Sequence, residues 1–299
     1  MRKKRSRNRY RAIFTPPFKI GAPSMVFGEN LLENAYLLAD MVDHVEIVLF
    51  YTPALHNFPS PGEVKALRKL GADEAVTFSV HLPAFLEIAS RNRKKREKSV
   101  QMVIDLINFM DELNPTYHIL HIPVTPPTLT SVPGRYLTIE HRDKFIDWTR
   151  RATESLERIQ NRIDQKNEIL VENINYSPVF LESFWNSGLC GLCLDMGHLM
   201  LGRESVSGVT RQFMTVIREI HLHGVKGHEE HLSLAVLPET RVSKWVKLLV
   251  DATYRGVINL EVFSAECLET SVSMLIELLQ VEQRCREDVH GQTAFFSST

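Results

Sequence analysis

The chain has 299 residues, of which 44% are hydrophobic and 24% charged, and its net charge is −1; these values are typical of a globular protein. It contains no run of 18 or more apolar residues, so the sequence predicts no membrane span, and the stretch Met1–Arg11 lacks the apolar core of a secretory signal. Four cysteines are too few for a disulfide framework in a chain of this length, so we expect a reducing, cytoplasmic location.

The charge is unevenly distributed along the chain. The first eleven residues carry seven Arg or Lys. Removing those seven positive charges from the net charge of −1 leaves −8 for the rest. An acidic body argues against a protein that tracks DNA over a broad surface, so nucleic acid is not an expected partner. We predict a basic, disordered or extended arm over residues 1–14.

Short apolar runs alternate with helical periods along the remaining chain. The runs are rich in β-branched or apolar residues, as buried parallel strands should be, and they are Phe18–Pro23, Val45–Phe50, Val76–Leu82, Tyr117–Ile122, Glu168–Glu172, Leu189–Asp195, Ile217–His223 and Val257–Phe263. The first turn, Gly21-Ala22-Pro23-Ser24, has no GxGxxG motif, which disfavours an open dinucleotide-binding sheet. Eight strands, each followed by a helix, predict one α/β domain, a (β/α)8 barrel over residues 15–288, followed by a tail over 289–299.

Six consecutive predicted strands end in a side chain that can bind a metal. Barrel enzymes place their active sites at these carboxyl ends. One histidine at a strand end is usually structural, but six donors in succession indicate a site. The six donors are His81, His121, Glu172, Asp195, His223 and Glu261.

Two further motifs lie in the turns after strands six and seven. Asp195 and His198 form a DxxH that brings a carboxylate near an imidazole. Glu229 and His231 have the ExH spacing that directs two side chains of an extended segment to the same side. Both pairs extend the predicted donor set.

Mixed imidazole and carboxylate donors suit Zn²⁺, Mn²⁺ or Fe²⁺. The predicted set exceeds one tetrahedral site, so we expect two or three divalent ions, with Glu172 placed to bridge. Glu261 and Glu172 are also candidate catalytic proton acceptors. Glu46, inside the second strand, either reaches the same site as a catalytic group or pairs with a cation inside the barrel.

A basic segment, Arg91–Lys98, follows the third strand. It is either a solvated patch or a means of attracting an anionic substrate towards the metals.

The donor set resembles the xylose isomerase-like barrel superfamily, which includes endonuclease IV and sugar isomerases and epimerases, over roughly residues 18–285. The resemblance to endonuclease IV implies three metal positions. They would be held by His81, His121 and Glu172; by Glu172, Asp195, His223 and Glu261; and by His198, Glu229 and His231. The family usually has Asp where Glu229 stands, so Glu230 or His228 is an alternative donor.

Three short phrases are similar to the cobamide-remodelling phosphodiesterases of this superfamily: GAPSMVF, VEIVLF with the following Asn57-Phe58-Pro59-Ser60, and SVHLP. This likeness implies a metal-dependent phosphodiesterase that hydrolyses the nucleotide loop of a cobamide, a small anionic substrate. The alternatives are a sugar isomerase or epimerase, an endonuclease IV-like DNA phosphodiesterase, and a non-catalytic ligand-binding barrel.

Overall fold

The computed structural model describes residues 16–28, 30–52, 56–124 and 139–296. The predicted basic arm over 1–14 lies outside them. Among the described residues, the barrel strands are β1 Lys19–Pro23, β2 His44–Val48, β3 Thr77–His81, β4 His118–Leu120, β5 Ile169–Glu172, β6 Gly191–Asp195, β7 Ile217–Leu222 and β10 Val257–Leu260; two short strands between β7 and β10, β8 Gly224–Lys226 and β9 Glu229–Leu232, lie outside the barrel. The eight barrel strands are parallel and close in the order β1-β10-β7-β6-β5-β4-β3-β2. This confirms the predicted single (β/α)8 barrel.

Helices connect the strands and cover the outside of the barrel. They are α1 Leu31–Leu38, α2 Pro61–Glu74, α3 Arg93–Met110, α4 Ile139–Gln160, α5 Glu182–Asn186, α6 Met196–Leu201, α7 Val206–Phe213, α8 Glu239–Asp251 and α9 Ala265–Phe296. The last helix continues past residue 288, where the sequence analysis placed the end of the barrel. No described helix is long and apolar enough to cross a membrane.

Local sequence signals begin several of these helices. Ser60 and Glu63 form a reciprocal capping box at the start of α2, and Pro61 occupies the first helical position between them. The side chain of Asp195 accepts a hydrogen bond from the backbone N–H of His198 at 2.6 Å and so caps α6. Because Asp195 is also the last residue of β6, this cap fixes its carboxylate at the carboxyl end of the barrel.

One element was not predicted from the sequence. The strands β8 Gly224–Lys226 and β9 Glu229–Leu232 form an antiparallel hairpin after β7. The hairpin folds back over the barrel end, since the backbone N–H of His231 donates to the His223 ring at 3.0 Å. It therefore carries a histidine into the region of the predicted site.

The barrel interior contains both apolar and ionisable side chains. Ile119, Leu170 and Cys193 form a small apolar cluster of their own, separate from the main core between strands and helices. Glu46, Glu219 and His221 share the interior and have no exposed surface. Buried ionisable groups are costly unless they are paired, so this layer requires a specific arrangement of protons, ions or hydrogen bonds.

Candidate metal centre

Four donors from four strands converge at the carboxyl end of the barrel. One ligand atom from each of Glu172, Asp195, His221 and Glu261 lies within 4.8 Å of the others. They come from β5, β6, β7 and the residue directly after β10. Three were predicted from the sequence; His221 was not.

Several donor atoms of this group lack a hydrogen-bond partner within the described residues. Asp195 Oδ2, His221 Nδ1 and Glu261 Oε2 are buried without a hydrogen-bond partner. His221 Nδ1 lies 3.4 Å from Glu261 Oε2 and 3.5 Å from Glu172 Oε2. Buried polar atoms are seldom left unpaired in native proteins. The residues present therefore fit a divalent ion at this position.

A second group lies beside the first and shares Glu172. His121 Nε2 lies 3.0 Å from Glu172 Oε2, and His81 Nε2 lies 3.3 Å from the same oxygen. The Nδ1 of His81 donates to the Leu82 carbonyl at 2.9 Å, which leaves Nε2 to face the carboxylate. The structure thus brings together His81, His121 and Glu172 as the sequence predicted.

The ionisation of these groups is shifted by their neighbours. Burial lowers the pKa of His81, but the hydrogen bond to Glu172 and the charges of Glu46 and Glu172 outweigh it and raise this pKa to about 9. Burial raises the pKa of Glu172, but the neighbouring His121 and His221 hold it well below its ordinary value. The carboxylate therefore stays ionised and can bind a cation or accept a proton.

Two neighbouring histidines, His221 in β7 and His223 just after it, supply donor atoms to different groups. His221 Nε2 lies 3.0 Å from Glu46 Oε2, and its Nδ1 faces Glu172 and Glu261. His223 Nδ1 lies 3.0 Å from the His231 backbone nitrogen and 3.3 Å from the Gly224 carbonyl, and its buried Nε2, which has no hydrogen-bond partner among the described residues, lies 3.5 Å from Asp195 Oδ1. His221 thus belongs to the group with Glu172, Asp195 and Glu261, and His223 to a group with His231 and Glu261.

Glu46 lies beneath the donor group. Its side chain is completely buried and contacts His221. This is the second of the two interpretations left open by the sequence, a carboxylate paired inside the barrel. The arrangement is that of a carboxylate that orients a metal-binding imidazole.

The predicted third group is only partly assembled. His198 Nδ1 lies 3.0 Å from the Asn173 carbonyl and 3.3 Å from Asp195 Oδ2. The carboxylate of Glu230 lies 3.8 Å from His198 Nε2 and 3.7 Å from His231 Nε2.

Glu229, the predicted donor of this group, is exposed and belongs to none of the donor groups among the described residues. The reason is local: His231 has a φ of 57°. This left-handed conformation breaks the strand alternation on which the Glu229 and His231 pairing was based.

Three of the six cations in the basic segment after β3 are close to carboxylates. Arg93 bonds Glu97 at 2.7 Å, and Lys95 bonds Glu87 at 3.2 Å. Arg91 lies 3.9 Å from Asp147. These contacts favour the solvated-patch interpretation and weaken the case for an anion-attracting site.

A family model described as a xylose isomerase-like TIM barrel matches residues 36–281. The chain belongs to this family. No curated protein matches it in sequence.

Several solved structures share the fold. A D-tagatose 3-epimerase-like protein matches with a TM-score of 0.73 and 22% identity, covering 89% of this chain and 99% of the other. An L-ribulose 3-epimerase matches with a TM-score of 0.64 and 15% identity, covering 91% and 98%. A 3-keto-D-glucoside 4-epimerase from E. coli matches with a TM-score of 0.63 and 12% identity, covering 87% and 98%.

The predicted cobamide phosphodiesterase is wrong. The matching solved structures are named for epimerases of D-tagatose, L-ribulose and 3-keto-D-glucoside type, which are sugar enzymes. The short phrases that suggested a cobamide are too brief to define a substrate, although SVHLP contains the donor His81 and VEIVLF contains Glu46. The donor set itself does not distinguish the two chemistries, because metals held by carboxylates and imidazoles serve both.

Proposed function

We propose that this protein is a metal-dependent sugar epimerase that inverts a carbon next to a carbonyl group. The observation that carries the proposal is the group Glu172, Asp195, His221 and Glu261, with its unpartnered buried donor atoms. The epimerases named among the fold neighbours support the substrate class.

We propose that two divalent ions of the Zn²⁺, Mn²⁺ or Fe²⁺ type bind here. Glu172, Asp195, His221 and Glu261 would hold one, and His81, His121 and Glu172 would hold the other. A bound ion would polarise the carbonyl of the sugar and stabilise negative charge on its oxygen.

The remaining chemistry is performed by two carboxylates. Epimerisation requires that a proton leave one face of a carbon and return to the opposite face. Glu172 lies on β5 and Glu261 follows β10, with β6 and β7 between them in the barrel wall. Two carboxylates approaching from different strands can act as the base on one face and the acid on the other. Glu172 is ionised, because the neighbouring His121 and His221 hold its pKa well below its ordinary value, so its carboxylate is able to accept the proton.

The test is a panel of ketoses, among them D-tagatose, L-ribulose and D-psicose, incubated with Mn²⁺-loaded protein and separated by chromatography. We expect a C3 epimer to form and a chelator to stop the reaction. Formation of an aldose instead would identify an isomerase, in which the proton returns to the neighbouring carbon.

Two variants and a control sharpen this test. Glu172→Gln and Glu261→Gln should each lower kcat by about a hundred- to ten-thousandfold, as expected for loss of a general acid or base. Glu168→Gln is the matched control, because Glu168 lies at the other end of β5 and pairs with Arg218 at 3.3 Å. Ketoses left unchanged by metal-loaded protein would reject the proposal.

A further inference from the structure

An aromatic cluster lies at the carboxyl end of the barrel, beyond β2 and β3. It consists of Tyr51, His56, Phe58 and Phe85, which we call the aromatic platform. Tyr51 packs against each of the other three, with ring centroids 6.2 Å from His56, 6.2 Å from Phe58 and 5.8 Å from Phe85. The rings of His56 and Phe58 are 5.6 Å apart.

The platform exposes ring surface although its members pack together. Tyr51 is 47% exposed and Phe85 is 45% exposed. Exposed aromatic surface of this kind is typical of binding sites, since aromatic rings contribute a large contact area at small entropic cost.

Asn57, which lies between His56 and Phe58 of the platform, is bound to the end of β2 and the residues after it. Asn57 accepts a hydrogen bond from the Phe50 backbone N–H at 2.8 Å and donates to the Val48 carbonyl at 2.6 Å. A backbone bridge also joins Tyr51 to His56. The rings are therefore held in place before a ligand binds, which lowers the cost of ordering them.

The platform is next to the candidate metal centre. Val48, the last residue of β2, is the register partner of His81. Tyr51 follows Val48 by three residues, and Phe85 follows His81 by four. At about 3.3 Å per extended residue, the platform begins roughly 10 Å from the donor His81. A group attached to a sugar bound at the metals would reach it.

The charged side chains near the platform favour a substrate whose second group is uncharged. Of the six cations in the segment Arg91–Lys98, Arg91, Arg93 and Lys95 are close to carboxylates, and Arg96 donates to the Ser90 carbonyl at 2.6 Å. An anionic substituent would have to compete with Asp147, Glu97 and Glu87 for the first three, whereas a neutral ring needs only the exposed aromatic faces.

We propose that the substrate is a sugar carrying a second, uncharged ring, and that this ring stacks on Tyr51 and Phe85. The inference rests on the proposed function and adds a substrate class to it. The second ring is either an aromatic aglycone or another sugar, because both present an apolar face to an aromatic side chain. One aromatic contact of this type changes affinity by about two- to twelvefold.

The test measures binding first, so that it does not depend on turnover. Calorimetry with Mn²⁺-loaded protein would compare three ketoses: D-fructose, lactulose, which carries a second sugar ring, and a benzyl ether of D-fructose. We expect at least one two-ring ligand to bind about tenfold more tightly than D-fructose. A preference for the benzyl ether would identify an aromatic substituent, and a preference for lactulose a second sugar.

Variants connect this preference to the platform. Tyr51→Ala and Phe85→Ala should remove it, and both side chains are exposed enough for the fold to tolerate the change. Phe109→Ala is the control, since Phe109 is 38% exposed near the end of α3, away from the platform. Equal binding of one-ring and two-ring ligands, or a preference that survives both platform variants, would overturn the inference.

Turnover then separates this inference from the proposed function. Epimerisation of free ketoses without any gain from a second ring would leave the function standing and reject the platform. Platform-dependent binding without epimerisation of any sugar would support the platform as a binding site and reject the proposed function.

Discussion

Replacing Glu46 tests how the barrel interior supports the metal centre. Glu46 Oε2 lies 3.0 Å from His221 Nε2, and neither side chain has exposed surface. While Nε2–H donates to this carboxylate, Nδ1 is directed towards Glu172 and Glu261. In Glu46→Leu the ring loses its acceptor and Nε2–H is left buried without a partner. In Glu46→Gln an acceptor oxygen remains but the negative charge is lost.

The size of the effect follows from this geometry. Removal of a group that orients a metal-binding histidine weakens metal affinity by about ten- to a hundredfold, which corresponds to about 1.4 to 2.8 kcal/mol. We expect Glu46→Leu near the upper end, because it leaves a buried donor unsatisfied. Glu46→Gln should lie near the lower end, because the hydrogen bond can persist.

The assay is calorimetric titration of the metal-free protein with Mn²⁺, with circular dichroism to confirm that each variant is folded. Ser79→Ala is the matched control. Ser79 is the register partner of Glu46, but its hydroxyl lies 2.8 Å from His44 rather than contacting His221. A folded Glu46→Leu protein with the Mn²⁺ affinity of the unmodified protein would refute the positioning role.

Three further predictions concern other parts of the barrel. In Gly197→Ala the new Cβ would lie 2.0 Å from the His223 ring, so we expect a loss of about 1–3 kcal/mol in a urea titration; Gly62→Ala, where the nearest atom is 3.9 Å away, should cost nothing. Burial lowers the pKa of His118 from 6.5 to about 4. Above pH 6.5 the ring is neutral in both the folded and the unfolded chain, so it does not affect the free energy of unfolding. As the pH falls from 6.5 to 4, the unfolded chain gains a proton that the folded chain resists, and the free energy of unfolding falls by about 3 kcal/mol. His118→Phe should reduce the acid-induced loss by that amount, and an unchanged loss would contradict this assignment. His121→Ala should lower the bound Mn²⁺ from two ions to one by elemental analysis, and unchanged content would exclude His121 as a donor.

The strands and most donors were predictable because parallel strands and helices leave a strong period in the sequence. Apolar runs placed every barrel strand, with the largest error at the end of β10, which stops at Leu260 rather than Phe263, and Glu172 and Asp195 do end their strands. His221 was not named because the predicted strand ended at His223, one residue beyond the end of β7, and only the last side chain was selected. His221 is the side chain that precedes His223 on the same face. Glu219, His221 and His223 alternate with apolar residues in the sequence, and this pattern could have placed all three side chains in the barrel interior.

Other features left no periodic trace. The hairpin after β7 is too short to show a pattern, and the positive φ of His231 directs Glu230 rather than Glu229 towards the histidines. The substrate was mispredicted because metal donors at strand ends identify the ion-binding chemistry but not the molecule that is bound. The interior pair of Glu46 and His221 depends on two strands that are separated in the barrel wall by β1 and β10 and that no local pattern connects.

The central claim is that two carboxylates move a proton on a carbon next to a sugar carbonyl. Its most direct test is incubation of the Mn²⁺-loaded protein with D-tagatose or L-ribulose in D₂O, followed by proton NMR. The account predicts that deuterium enters at C3, that a chelator prevents this, and that Glu172→Gln and Glu261→Gln abolish it while Glu168→Gln does not. Sugars recovered without deuterium from metal-replete protein would contradict the account.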